Sequence, residues 1–116
     1  MHNLINENSK ITFEFIVNKK QVNKYKTLHA SVLFQKIESI AKSTMTPYNG
    51  FIETSLTAFE LEFKNKAFLH DELLVTNCVQ KLDSSFLELC VTIVKKSNQE
   101  KLICKAFFGY TLKKAS

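Results

Sequence analysis

The sequence predicts an α+β domain in which a curled antiparallel sheet of about five strands wraps one long helix. Apolar residues at helical spacing (Leu33, Ile37, Ile40 or Ala41, then Thr44 or Met45) fall in a single stretch of the first half. From Phe51 onward the apolar period changes to two, the signature of half-buried strands. The segments between the later strands are short enough to force antiparallel neighbours. With only two Gly and one Pro in 116 residues, the chain has little material for sharp turns and suits long regular elements.

The first strand is expected over 11–17, where Ile11-Thr12-Phe13-Glu14-Phe15 alternates and β-formers dominate. Residues 18–26 are polar and read as a loop. Thr27 is placed to cap a helix spanning 28–45, which Pro47-Tyr48-Asn49-Gly50 should end. Ala30, Val32 and Phe34 lie outside the main apolar stripe, so the helix is expected to be covered on most sides. Strands follow over 51–64 (Leu61 and Phe63 on one face, Glu60 and Glu62 on the other), 71–81, 86–95 and 101–112. The segments 81–85 and 96–100 read as hairpin loops. No repeat, linker or low-complexity tract interrupts the series, and one domain over 1–116 is expected.

Composition narrows the function classes. The hydrophobic fraction of 45% is that of a globular chain. A net charge of +5 comes from scattered Lys pairs such as Lys19-Lys20 and Lys113-Lys114, without an Arg-rich run. That pattern argues for a solvated surface, or for an anionic small molecule, over nucleic acid. Cys78, Cys90 and Cys104 lack CxxC spacing and sit among strand-forming residues, so neither a zinc site nor a disulfide framework is expected. No apolar run approaches the roughly 20 residues that span a bilayer, and residues 1–8 have no apolar signal region. A soluble cytoplasmic protein, with no metal and no membrane partner, is the expectation.

The chemistry is carried by Asn23-Lys24-Tyr25-Lys26-Thr27-Leu28-His29-Ala30-Ser31 and by Glu38, nine positions after His29. A polar loop with an Asn and a His runs into an apolar helix, and a carboxylate sits two turns inside it beside Ile37, Ile40 and Ala41. Unpaired N–H groups at a helix start bind an oxyanion, aided by the helix dipole. An apolar setting would tune the carboxylate as a general base. Together they suit hydrolysis of an activated acyl group.

These residues resemble the hotdog-fold acyl-CoA thioesterase superfamily, which includes the four-hydroxybenzoyl-CoA and phenylacetate-pathway thioesterases. Its pattern is roughly N-x-x-G-T-L-H-G-G with an acid nine places after the His; Asn23, Thr27, Leu28, His29 and Glu38 match. Residues 63–73, from Phe63 through Ala67 and Asp71 to Leu73, look like the family's F-x-x-P-A-x-x-G-D-x-L junction. The likeness runs from Ile11 to Leu112. Lys26 stands where the family has Gly, Ala30-Ser31 replaces Gly-Gly, and Lys66 and His70 replace the junction's Pro and Gly. The resemblance implies the hotdog fold, an acyl-CoA or acyl-carrier thioester as substrate, coenzyme A only as part of that substrate, and sites at a subunit interface. It assigns Glu38, Asn23 and His29 to catalysis and the N–H groups of Ala30 and Ser31 to the substrate carbonyl.

Spacing adds a constraint of its own. Eight residues from Ala30 to Glu38 span roughly 12 Å of helix, whereas an oxyanion hole and a base must each reach the same reacting atoms. If both act, they come from different subunits, so a homodimer, or a tetramer of dimers, is expected. A non-catalytic acyl-CoA-binding module is the alternative reading. A hydratase or dehydratase of this fold ranks lower, because the His–acid spacing of that chemistry is not found.

Overall fold

The computed structural model of the protein describes residues 10–46 and 52–114. The helix stop expected at Pro47-Tyr48-Asn49-Gly50 and the segment 1–8 lie outside the described residues. In chain order the elements are β1 (Lys10–Ile16), α1 (Ala30–Met45), β2 (Ile52–Phe63), β3 (Glu72–Leu82), β4 (Phe86–Lys95) and β5 (Asn98–Lys114), with one 3-10 turn at Lys19–Gln21. The strands form a single antiparallel sheet in the order β1-β3-β4-β5-β2. The sheet curls over one side of α1 and does not close.

Alternation decides which side chains meet the helix. Leu73, Val75 and Val79 of β3, Leu87, Leu89, Val91 and Ile93 of β4, and Cys104, Ala106 and Phe108 of β5 are buried on the inner face. Leu33, Ile37, Ile40, Ala41 and Met45 of α1 fill the space above them. Ile37 and Ile40 are 0% and 1% exposed; each such side chain contributes about 1.5–3 kcal/mol by leaving water. Inside this core Asn77 donates to the Thr44 hydroxyl, which itself donates to the Ile40 carbonyl. That chain ties β3 to α1 by a buried polar contact.

Several boundaries differ from the expectation, each for a local reason. Thr27 does not cap α1: Thr27 bridges to Phe68 and Leu28 to Val22, so the backbone stays extended until His29, the N-cap residue. Only one stripe of α1 is buried by its own chain; Phe34 is 39% exposed and meets Phe59 of β2 edge to face. The hairpin after β4 tightens to Lys96-Ser97, because Lys95 pairs with Asn98. At the other hairpin the Asp83 carboxylate accepts from the Ser85 and Phe86 N–H groups at 2.7 and 2.8 Å, which closes the turn and holds its carboxyl below the usual range.

Burial also shapes the alkaline limit of the fold. Cys104 has no solvent exposure, and desolvation pushes its thiol from 9.0 up to about 12. The unfolded chain releases that proton near pH 9 and the folded chain does not. The thiol's contribution is therefore complete below pH 9 and lost as pH climbs from there toward 12. Urea unfolding at pH 8 and pH 10.5 should show a lower midpoint at the higher pH, and a smaller drop in Cys104→Ala.

Candidate active site

Two loops, distant in sequence, build the start of α1. Leu28 N–H donates to the Ala67 carbonyl at 2.9 Å, and Leu69 N–H donates to the Lys26 carbonyl at 2.9 Å. His70 N–H reaches the Val17 carbonyl and Val17 N–H the Asp71 carbonyl, so the end of β1 joins the same knot. The Asp71 carboxylate accepts from Phe68 N–H at 2.9 Å. Lys26 (φ 63°) and His70 (φ 73°) are the non-glycine residues with left-handed backbone among the described residues. These are the two positions where the resembling family carries Gly in its loop and in its junction. The fold keeps the backbone geometry that glycine favours while the side chain has changed, a strain of roughly 1–2 kcal/mol at each.

Asn23 organises the loop. Its side-chain oxygen accepts from Tyr25 N–H at 2.8 Å and Thr27 N–H at 3.1 Å, while Asn23 N–H donates to the Thr27 carbonyl. The oxygen is committed to the turn. The side-chain NH₂ has no acceptor among the described residues, and the residue is exposed. His29 N–H donates to the Gln21 carbonyl, and its exposed imidazole makes no capping bond. The His29 carbonyl takes the N–H groups of Val32 and Leu33, whereas Ala30 and Ser31 donate to no group among the described residues. His29, Ala30 and Ser31 thus stand at the helix start, with the Ala30 and Ser31 N–H groups uncommitted at its positive pole, and Asn23 orders the loop that leads into it.

Glu38 is elsewhere. It lies two turns further along, its side chain is 47% exposed, and it pairs with Lys42 at 3.9 Å. Ile37 and Ala41 turn into the core and leave Glu38 on the rim, so the apolar enclosure expected from its sequence neighbours is absent from the single chain. Glu38 opens instead onto a cleft of about 480 Å³ between α1 and the β2–β5 edge, lined by Lys42, Met45, Leu56, Phe108 and Tyr110 among others. That volume falls in the range of small-molecule sites. Burial, and secondarily the Glu38 carboxylate, raises the Tyr110 phenol. Tyr110 therefore keeps its proton, and it lines the same cleft as the acid. In the sequence Tyr110 reads only as an alternating strand aromatic, and only its pairing opposite Leu56 puts it here. Among the described residues no cluster of three or more metal-ligating side chains occurs.

No family model matches the chain, and no curated protein matches it. Solved structures do. A Streptococcus mutans protein bound to acetyl-CoA superposes with a TM-score of 0.74 at 18% identity, covering 93% of this chain and 84% of the other. The chain has the hotdog fold. Zebrafish thioesterase superfamily member 2 aligns at TM-score 0.77 and 21% identity over 94% and 78% of the two chains. The Synechocystis 1,4-dihydroxy-2-naphthoyl-CoA thioesterase aligns at 0.72 and 14% over 93% and 85%. At these identities the likeness establishes the hotdog architecture; two of these three neighbours are named as thioesterases and the third is bound to acetyl-CoA.

The loop geometry makes two separable predictions. Lys26→Gly relieves left-handed strain but frees the unfolded chain, so it should be neutral or stabilising by up to about 1 kcal/mol; Lys26→Val should destabilise by about that much or more. Asn23→Ala should lose about 1 kcal/mol through the two backbone donors it abandons, whereas Asn23→Asp should retain most stability while losing the NH₂ donor. Urea midpoints of the four variants check both statements.

Proposed function

We propose that the protein is a thioesterase that hydrolyses an acyl-CoA, or an acyl group on a carrier, at sites shared between two subunits. The observation that carries this reading is the free pair of N–H groups, Ala30 and Ser31, at the start of a helix whose loop holds Asn23 and His29. They would polarise the thioester carbonyl and take up the charge of the tetrahedral intermediate. The Asn23 NH₂ and the His29 imidazole would orient the thioester and the attacking water. Glu38 of a second subunit would accept the water proton, and the coenzyme A thiolate would leave as the carbonyl reforms.

The second subunit is motivated by the edge of the sheet. β2 has β5 as its only strand partner among the described residues, and Leu56, Phe59 and Phe63 are 54%, 39% and 52% exposed along it. A long apolar edge strand is a template for pairing. A two-fold axis at that edge would run the two helices antiparallel and lay the start of one beside the later turns of the other. Partner contact would also cover Glu38 and close the cleft beside Tyr110. A non-catalytic acyl-CoA binder is the second reading, favoured by Ala30-Ser31 in place of Gly-Gly, because their Cβ atoms narrow the approach to the backbone.

Hydrolysis of an acyl-CoA panel, followed with a thiol reporter, separates the two readings. Glu38→Gln should lower kcat by roughly 10²–10⁴-fold with little change in binding. Light scattering on the eluting protein should find a dimer or a multiple of it. Unchanged turnover in Glu38→Gln removes the general base, an active monomer removes the shared site, and tight binding without turnover in the wild type makes the protein a binder.

A further inference from the structure

Opposite the helix, the outer face of the sheet holds a pair of thiols that spacing in the sequence does not reveal. Cys78 of β3 and Cys90 of β4 are direct partners in the antiparallel register. Directly opposed residues have Cα atoms about 4.5–5.5 Å apart, within the span a disulfide bridges, and Cβ atoms about 4.5–5.5 Å apart, so closing the bond to a Cβ separation of about 3.5–4.5 Å requires the two strands to draw together by up to about 1–2 Å. Both cysteines are free. Access exists as well. Cys78 is partly exposed, and Cys90 lines an outward cleft of about 230 Å³ beside Glu60, Lys105 and Phe107. Cys104 is different: it sits on the inner face with no exposure and has Ile93 and Phe63 as its strand neighbours.

We propose that Cys78 and Cys90 form an oxidisable cross-strand dithiol, a modification site for peroxides. Cys78, the more exposed partner, gives its proton to solvent and its thiolate attacks one peroxide oxygen; the O–O bond breaks, the departing hydroxide takes a proton back from solvent and leaves as water, and Cys78 becomes a sulfenic acid. The Cys90 sulfur then attacks the Cys78 sulfur. The S–S bond forms as the S–O bond breaks, and the hydroxyl departs as a second water with the Cys90 proton. Two thiols lose two electrons and one hydrogen peroxide is reduced to two waters. Burial raises the Cys90 thiol, which suits the resolving position better than the attacking one. The bond would staple β3 to β4, one residue along β3 from Asn77, which contacts Thr44 of α1.

The test uses the whole folded protein. After exposure to excess hydrogen peroxide it is alkylated in denaturant, digested and examined by mass spectrometry. The expected result is loss of two alkylatable thiols, a peptide pair linked through Cys78 and Cys90 that dithiothreitol separates, and full alkylation of Cys104. Cys90→Ser should abolish the link and drive Cys78 on to sulfinic acid. Three intact thiols after treatment would overturn the proposal. So would wild-type Cys78 reaching sulfinic acid without a link, or Cys104 oxidising as fast as the other two. Circular dichroism before and after oxidation confirms that the folded chain was tested, and the wild-type peptide map decides the matter even if a variant fails to fold.

Discussion

The structure depends on one constraint: a helix with a single apolar stripe must lie in the curl of a sheet that has a single apolar inner face. Ile37, Ile40 and Ala41 are sealed against Leu89, Val91 and Ile93, and the buried Asn77–Thr44 contact fits only one placement of α1 against β3. With the inner stripe committed, every other side chain of the helix has its address. Glu38 is forced to the rim next to the β2–β5 edge, and Phe34 to the gap where Phe59 meets it edge to face.

A second level of order sits at the helix start. The segments 26–28 and 67–69 are separated by 38 residues of sequence, yet exchange backbone hydrogen bonds across an extended bridge. This pairing keeps α1 from beginning at Thr27 and leaves the N–H groups of Ala30 and Ser31 unused. It also demands left-handed backbone at Lys26 and His70. Neither residue favours that geometry, so the strain is borne by the bonds on either side. Preserved backbone under altered side chains explains how the loop keeps its donors without the glycines of the family it resembles.

The candidate site is divided by helix geometry. The donors are at one end of α1, and the acid and the Tyr110-lined cleft are two turns away, a distance that the rise of a helix does not let one ligand carbonyl bridge. Among the described residues β2 has a strand partner on one side only, and Glu38 is half-exposed beside an open cleft; the proposed shared site rests on these two observations.

Much was legible from pattern alone: one helix from its 3.6-residue spacing, the later strands from strict alternation, and antiparallel order from short loops. Asn23, His29, Ala30 and Ser31 could be proposed as a group because they fall within nine residues of sequence where a polar loop enters a helix. What pattern could not supply were relations between residues far apart in the chain. That Thr27 pairs with Phe68 and does not cap, that Tyr110 lines the same cleft as Glu38, and that Cys78 opposes Cys90 all follow from strand order and register. Local sequence determines which face of an element is apolar, since that is set by the period of its own residues. Which residues meet across faces is decided only when the sheet curls over the helix, because a shift of one residue in register would exchange every partner.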